Sequence, residues 1–332
     1  MKNGVIPAIF RIDIEPNEHL QPEAGDDMQE WSGFVDTVEM VETLRGPLAD
    51  IAGAAFNPNW FVRFDPEIER RYGRADAAFF LHREQFDKLA ARQDPIGIHV
   101  HLHRWDCEKN VTFSDYGSSA WANYCLEFSS DVYAKCFDQP VRRTSQGGYF
   151  ISEDIINTLV KLGIEADISL EPGLPAKMSD ISIGEYASAP STDFKAYQRT
   201  PYFPSTSNMA VPCKSELDKR PILLVPLTSY DYSYALSTWY NKLAKSILRR
   251  PRSYLPLSPW KEWPSPEVYW NLVSKALGEM EKPYFAFAMR TDNPNAYTFK
   301  QTKALLEHLP KHPIAKKLHF VDVLDDSIAK LI

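Results

Sequence analysis

Ile96-Gly97-Ile98-His99-Val100-His101-Leu102-His103-Arg104-Trp105 is the stretch on which the reading of this 332-residue chain turns. Its first half is an apolar run of the length of a buried strand, and its second half carries three of the chain's 8 histidines at alternate positions. While the backbone stays extended, His99, His101 and His103 lie on one side of it. If it coils after His101, His99 and His103 still meet, because residues four apart are neighbours on a helical turn. Neutral imidazole is a common ligand for zinc and related ions, and two from one segment need an anchoring carboxylate from elsewhere to complete an open three-ligand site. The plainer alternative is that the histidines cap a strand and hydrogen-bond to backbone.

A carboxylate pair stands upstream. Pro7 to Glu15 alternates apolar and polar residues, ends in Asp13 and Glu15, and is stopped by Pro16. That is the pattern of a strand whose two final acids share a face, where one can hold a metal while the other accepts a proton. The chain then continues as strand and helix in turn. A helix is expected over 35–44, a strand over 59–64, a helix over 82–92, and the third strand over 96–101. A helix follows over 121–137, a strand over 141–146, and a helix after Ser152, which suits an N-cap with Glu153 and Asp154 in the first turn. The fifth strand is expected over 164–170 and the sixth over 222–227. A helix over 230–248, another over 267–280, a strand over 284–290, a helix over 297–308 and a last strand over 318–323 complete the pattern. Between Glu171 and Arg220 the signal fades into Pro, Ser, Thr and Tyr, an irregular insertion expected to form a loop over a site.

Seven or eight near-continuously apolar strands alternating with helices indicate parallel pairing with helices outside. No Gly-rich phosphate loop follows the first strand, which favours a barrel over an open sheet. In a barrel the reactive residues gather where strands end. Asp13, Glu15, His99, His103, Gln146 to Tyr149, Asp167, Thr228 to Asp231 and Arg290 to Asp292 all fall there.

A net charge of -7 argues against a nucleic-acid or anionic-membrane partner, whose unspecific attraction needs excess Lys and Arg. The one basic run, Lys242 to Arg252, reads as a solvated helix end. Cys107, Cys125, Cys136 and Cys213 have no metal-ligand spacing and imply no disulfide framework. No signal peptide precedes the first strand and no apolar run reaches the length of a membrane span, so a cytoplasmic location is expected.

The order of Ile12-Asp13-Ile14-Glu15-Pro16, His99-x-x-x-His103, and Gly147-Gly148-Tyr149 before a helix that runs into Leu162-Gly163-Ile164-Glu165-Ala166-Asp167-Ile168-Ser169-Leu170 resembles the NodB-homology polysaccharide deacetylases, carbohydrate esterase family 4 and relatives. The likeness spans the chain from first strand to last. It implies a distorted (β/α)7-8 barrel as a single domain over 1–332, with 171–220 as a loop insertion. It also implies a divalent metal, usually zinc, that serves removal of an acetyl group from an acetylated saccharide. Carried over, Asp13 is the general base, and Glu15, His99 and His103 are the metal ligands. By position, the backbone N–H near Gly148 or Tyr149 is expected to help hold the oxyanion, and Trp105 and Asp106, just past the histidines, and Asp292 are expected to contact substrate.

Two positions depart from the pattern. Ser145-Gln146 stands where many members carry Arg, with Arg142 and Arg143 a few residues earlier, and Met289-Arg290-Thr291-Asp292 stands where the final motif supplies a histidine acid. Arginine cannot hand over a proton at ordinary pH, although Arg290 can stabilise developing negative charge. Either another group protonates the leaving amine, with His101 the nearest, or the leaving group is an alkoxide, or the chemistry is lost. Three functions therefore stand open: a metal-dependent saccharide deacetylase, a metal-independent amide hydrolase of the same superfamily, and a silent barrel that binds a glycan or a protein. The aromatic clusters Tyr230, Tyr232, Tyr234, Trp239 and Tyr240, and Tyr254, Trp260, Trp263, Tyr269 and Trp270, either stack on sugars or pack the insertion onto the barrel.

Overall fold

The computed structural model describes residues 4–17, 31–178, 186–231 and 254–332. Its strands are β1 (Ile6–Ile14), β2 (Asn59–Arg63), β3 (Ile96–Val100), β4 (His103–Asp106), β5 (Val111–Ser114), β6 (Arg143–Gln146), β7 (Ala166–Asp167), β8 (Tyr186–Ala187), β9 (Leu223–Leu224), β10 (Ser229–Tyr230), β11 (Leu255–Pro256), β12 (Phe285–Arg290) and β13 (Leu318–Phe320). The main sheet runs β12-β1-β2-β3-β6-β7-β9 with every pairing parallel, and β13 pairs with the start of β1. The sheet curls until its two ends meet. Just past β9, the Thr228 N–H donates to the Ala286 carbonyl of β12 at 2.8 Å, and Thr228 Oγ1 accepts from the Ala286 N–H at 2.9 Å. The result is the distorted parallel barrel that the strand and helix pattern predicts.

The alternation along β1 decides what faces where. Ala8, Phe10, Ile12 and Ile14 join the apolar layer under the helices, while Ile9 packs with Phe61, Ala166, Val225, Ala286 and Ala288 inside the barrel. Arg11, Asp13 and Glu15 share the parity of Ile9, so they continue up the lumen toward the mouth. All three are buried. Helix Glu153–Lys161 forms as expected, with the Ser152 hydroxyl accepting from the Ile155 N–H.

Several elements differ from expectation. The first helix runs Ser32–Ala52, well beyond 35–44, and passes through Pro47. Two short helices, Pro66–Tyr72 and Ala77–Leu81, occupy a stretch without a clear periodic signal. The fifth and sixth strands shrink to two residues each in the sheet. Beyond β3 the chain leaves the barrel as an antiparallel β4–β5 hairpin, with His103 opposite Ser114, and β5 takes β8 of the insertion as a parallel neighbour. The insertion is tied down at its other end by paired Tyr202 and Leu224 backbones, with N···O distances of 3.0 and 2.9 Å. Trp263, Tyr269 and Trp270 are buried and stack edge-on in sequence, so these three rings pack core. Most of the helix expected over 230–248, the basic run over 242–252, and Tyr232, Tyr234, Trp239 and Tyr240 lie outside the described residues. The four cysteines are free, and no helix among the described residues is long and apolar enough to cross a membrane.

Candidate metal centre

The upper lumen gathers Glu15 from the end of β1 with His99 and His101 from the end of β3. Their ligand atoms all lie within 4.8 Å of one another, and all three residues are buried. His99 Nε2 stands 3.3 Å from Glu15 Oε1, His101 Nε2 stands 3.6 Å from Glu15 Oε2, and the two Nε2 atoms are 3.0 Å apart. Donors held about 2.0–2.1 Å from a tetrahedral ion stand about 3.3 Å from each other, so the three donors have the spacing of a ligand set before its ion.

Proton bookkeeping on the far side of each ring fixes which way its lone pair points. Asp13 is clamped by Arg11, whose Nε and Nη2 donate at 2.9 and 2.6 Å. The Ser145 hydroxyl donates to Asp13 Oδ1 at 2.8 Å, which leaves its oxygen to accept from His99 Nδ1 at 2.7 Å. On the other ring, Glu67 is held by Arg63 at 2.5 Å, so it accepts from His103 Nδ1 at 3.1 Å; His103 Nε2 in turn accepts from His101 Nδ1 at 3.3 Å. With this proton placement both rings carry hydrogen on Nδ1 and turn Nε2 toward the Glu15 carboxylate. Three such groups at this spacing could hold a divalent cation between them. Burial, helped by Arg63, keeps His101 well below its ordinary pKa and therefore neutral, the form that binds metal. Burial alone would raise the Glu67 carboxyl, but Arg63 and His103 outweigh it and hold it low.

The loop after β6 presses on this cluster. A Cβ on Gly147 would stand 2.3 Å from His101 Nε2, so only glycine leaves room for the ring. Gly148 and Tyr149 follow with φ of 67° and 57°, two successive left-handed residues, the second of them strained for a side chain of that size. Among the described residues neither of their N–H groups donates a hydrogen bond. Arg290 pairs with Asp13 in the β1–β12 register, remains half-exposed at the mouth, and binds Asp292 at 2.9 Å.

Of the expected ligands Glu15, His99 and His103, the structure groups the first two with His101. His103 opens the β4–β5 hairpin and stands behind His101, its Nε2 3.3 Å from His101 Nδ1. Trp105 lies under Arg70 of the helix Pro66–Tyr72 at 4.5 Å, and Asp106 accepts from the Glu108 and Lys109 N–H groups of the hairpin turn, so the contacts of both lie around the hairpin. Arg142 binds Glu165 and Arg143 binds Asp322, and neither is bonded to Asp13. The residue that is bonded to it is Arg11, not singled out from the sequence, although its parity with Asp13 and Glu15 inside an apolar strand is a signal. Arg63 and Asp65 repeat that signal at the end of β2, and Glu67 joins them from the helix that follows.

A curled parallel barrel with a carboxylate and two imidazoles at its C-terminal mouth is the architecture these residues build, and solved structures share its fold. One described as a glycoside hydrolase/deacetylase from Parabacteroides distasonis aligns with a TM-score of 0.56 at 12% identity, over 97% of this chain and 70% of its own. Another, described as a polysaccharide deacetylase from Mycobacterium smegmatis, aligns with a TM-score of 0.51 at 12% identity, over 99% and 92%. The chain therefore shares the fold of these two structures. By sequence, no family profile and no curated protein matches the chain.

Proposed function

We propose that this protein is a metal-dependent hydrolase that removes an acetyl or similar acyl group from a saccharide. The observation that carries the proposal is the convergence of Glu15, His99 and His101 beside Asp13, a carboxylate locked by Arg11 and joined to His99 through Ser145. The donor set, its 3.0–3.6 Å spacing and the Gly147 cradle fit a divalent ion, with zinc favoured by two imidazoles and one carboxylate. When bound there, such an ion would polarise the acyl carbonyl and lower the pKa of a water beside it.

The chain's own groups supply the remaining steps. Asp13 takes the proton of the attacking water, and Arg11 keeps its carboxyl from rotating away. The N–H groups of Gly148 and Tyr149 face no competing acceptor among the described residues, which suits them to the oxyanion of the tetrahedral intermediate. Arg290 adds positive charge at the mouth without donating a proton.

The test is acetate release from N- and O-acetylated oligosaccharides, with bound metal measured on the same samples. Asp13→Asn is expected to lower the rate by about 10²–10⁴-fold with metal content unchanged. Full activity after removal of all metal would favour the metal-independent amide hydrolase, and equal rates for wild type and Asp13→Asn would leave only a binder.

A further inference from the structure

A deacetylase barrel whose closing position is Arg290, and whose His101 is engaged by the ligand cluster, still needs a proton for its leaving group. One buried acid at the mouth has no duty in the steps above. Glu171 follows β7, three residues beyond Ile168, whose carbonyl accepts from Arg11 Nη1 at 2.9 Å while the same guanidinium clamps Asp13. It is 5% exposed, and among the described residues its carboxyl takes part in no hydrogen bond or ion pair. The groups whose charge it feels come from every side of the mouth: Arg11 and Asp13 on β1, Arg290 on β12, Lys261 beyond β11, and Tyr149 after β6. Gly173, at φ 97°, holds the turn after it against the chain at Tyr254, where a Cβ would meet the Tyr254 carbonyl at 1.7 Å.

We propose that Glu171 is the general acid that protonates the leaving group, an assignment that rests on the hydrolase reading above. The water oxygen bonds to the acyl carbon as its proton passes to Asp13. When the C–N or C–O bond breaks, the electron pair stays with the sugar nitrogen or oxygen, which takes the Glu171 proton. Asp13 then holds a proton and Glu171 a charge, and exchange with solvent restores both. Burial raises the Glu171 carboxyl to about 7 against the pull of Arg11, Lys261 and Arg290, so near neutrality a large fraction of it is in the donating form.

Glu171→Gln keeps the shape and removes the acid. On an N-acetylated hexosamine oligomer its kcat is expected to fall about 10²–10⁴-fold and to lose the decline above pH about 7, whereas p-nitrophenyl acetate, whose leaving group needs no proton, should be cleaved within about threefold of wild type. Glu171→Asp should restore part of the amide activity. A direct readout is the ¹³C NMR titration of glutamate carboxyls, in which the resonance lost in Glu171→Gln should have its midpoint near 7. Equal losses on both substrates, no loss on either, or a midpoint at the ordinary value of about 4.3 would overturn the assignment. If Glu171→Gln is fully active while Asp13→Asn is dead, only the acid is wrong; if Asp13→Asn is fully active, the hydrolase reading itself fails.

Discussion

The lower and upper halves of the barrel lumen are lined by the same strands, two residues apart, and hold opposite chemistries. Below, Ile9, Phe61, Ala166, Val225, Ala286 and Ala288 fill the space as an ordinary apolar core. Above, Arg11, Asp13, Glu15, Arg63, Asp65, Glu67, His99 and His101 are just as buried, yet nearly all their partners are other charges and imidazoles. Apolar burial stabilises a lumen directly, whereas a buried polar network is tolerated only while every member is paired. The upper half therefore stands on the lower one.

Removing one member from each half should reveal that asymmetry. Arg63→Met strands Asp65 and Glu67 and leaves Glu15, 4.0 Å from the guanidinium, with less countercharge. Breaking one buried pair costs about 3–5 kcal/mol, and several carboxylates share this cation, so the loss in urea unfolding should exceed about 5 kcal/mol. Phe61→Ala opens a cavity in the lower half and should cost about 3–5 kcal/mol while leaving metal affinity alone. A smaller loss for Arg63→Met than for Phe61→Ala would show that the upper network relaxes, with water replacing its pairs.

The two carboxylates with opposite shifts sharpen the contrast in pH. Glu67 is held below its ordinary pKa in the fold, so its contribution to stability is present above about pH 4.3 and fades as pH falls below that. Glu171 is raised to about 7, so its contribution is present below about pH 4.3 and is lost as pH rises through 7. Glu171→Gln should consequently be more stable than wild type at pH 8, by up to about 3 kcal/mol, and not at pH 4. Equal stability at both values would mean that water reaches the carboxyl freely.

What the sequence disclosed follows the same division. Strands β1, β2, β3 and β12 were legible because their outward residues are apolar and their lumen residues are apolar below and charged above. Arg11-x-Asp13-x-Glu15 and Arg63-x-Asp65 are that rule at its upper end. The β4–β5 hairpin was not legible, because it lies off the barrel and its short strands are only partly buried, so no apolar run marks it. The place of His103 depended on that hairpin. Local spacing allowed either an extended or a coiled continuation after His101, and pairing with Ser114, a contact between distant residues, decided it. Glu171 was equally hidden, since nothing local distinguishes a buried acid after a strand from the first residue of a polar loop.

The smallest expected effect tests whether the two imidazoles are braced equally. His101 leans on His103, Glu67 and Arg63, a chain that ends in a buried ion pair, while His99 leans on the single hydroxyl of Ser145, which it shares with Asp13. Ser145→Ala deletes only that oxygen. His99 Nδ1 then has no acceptor other than Asp13 Oδ1, 3.4 Å away, so its ring is less firmly aimed and its Nε2 less basic. Zinc affinity, followed by competition with a chromophoric chelator, should fall about 10–100-fold, with little change in unfolding free energy measured without metal. If affinity is unchanged, Asp13 has taken over as the brace of His99, and the two are then coupled directly instead of through the serine.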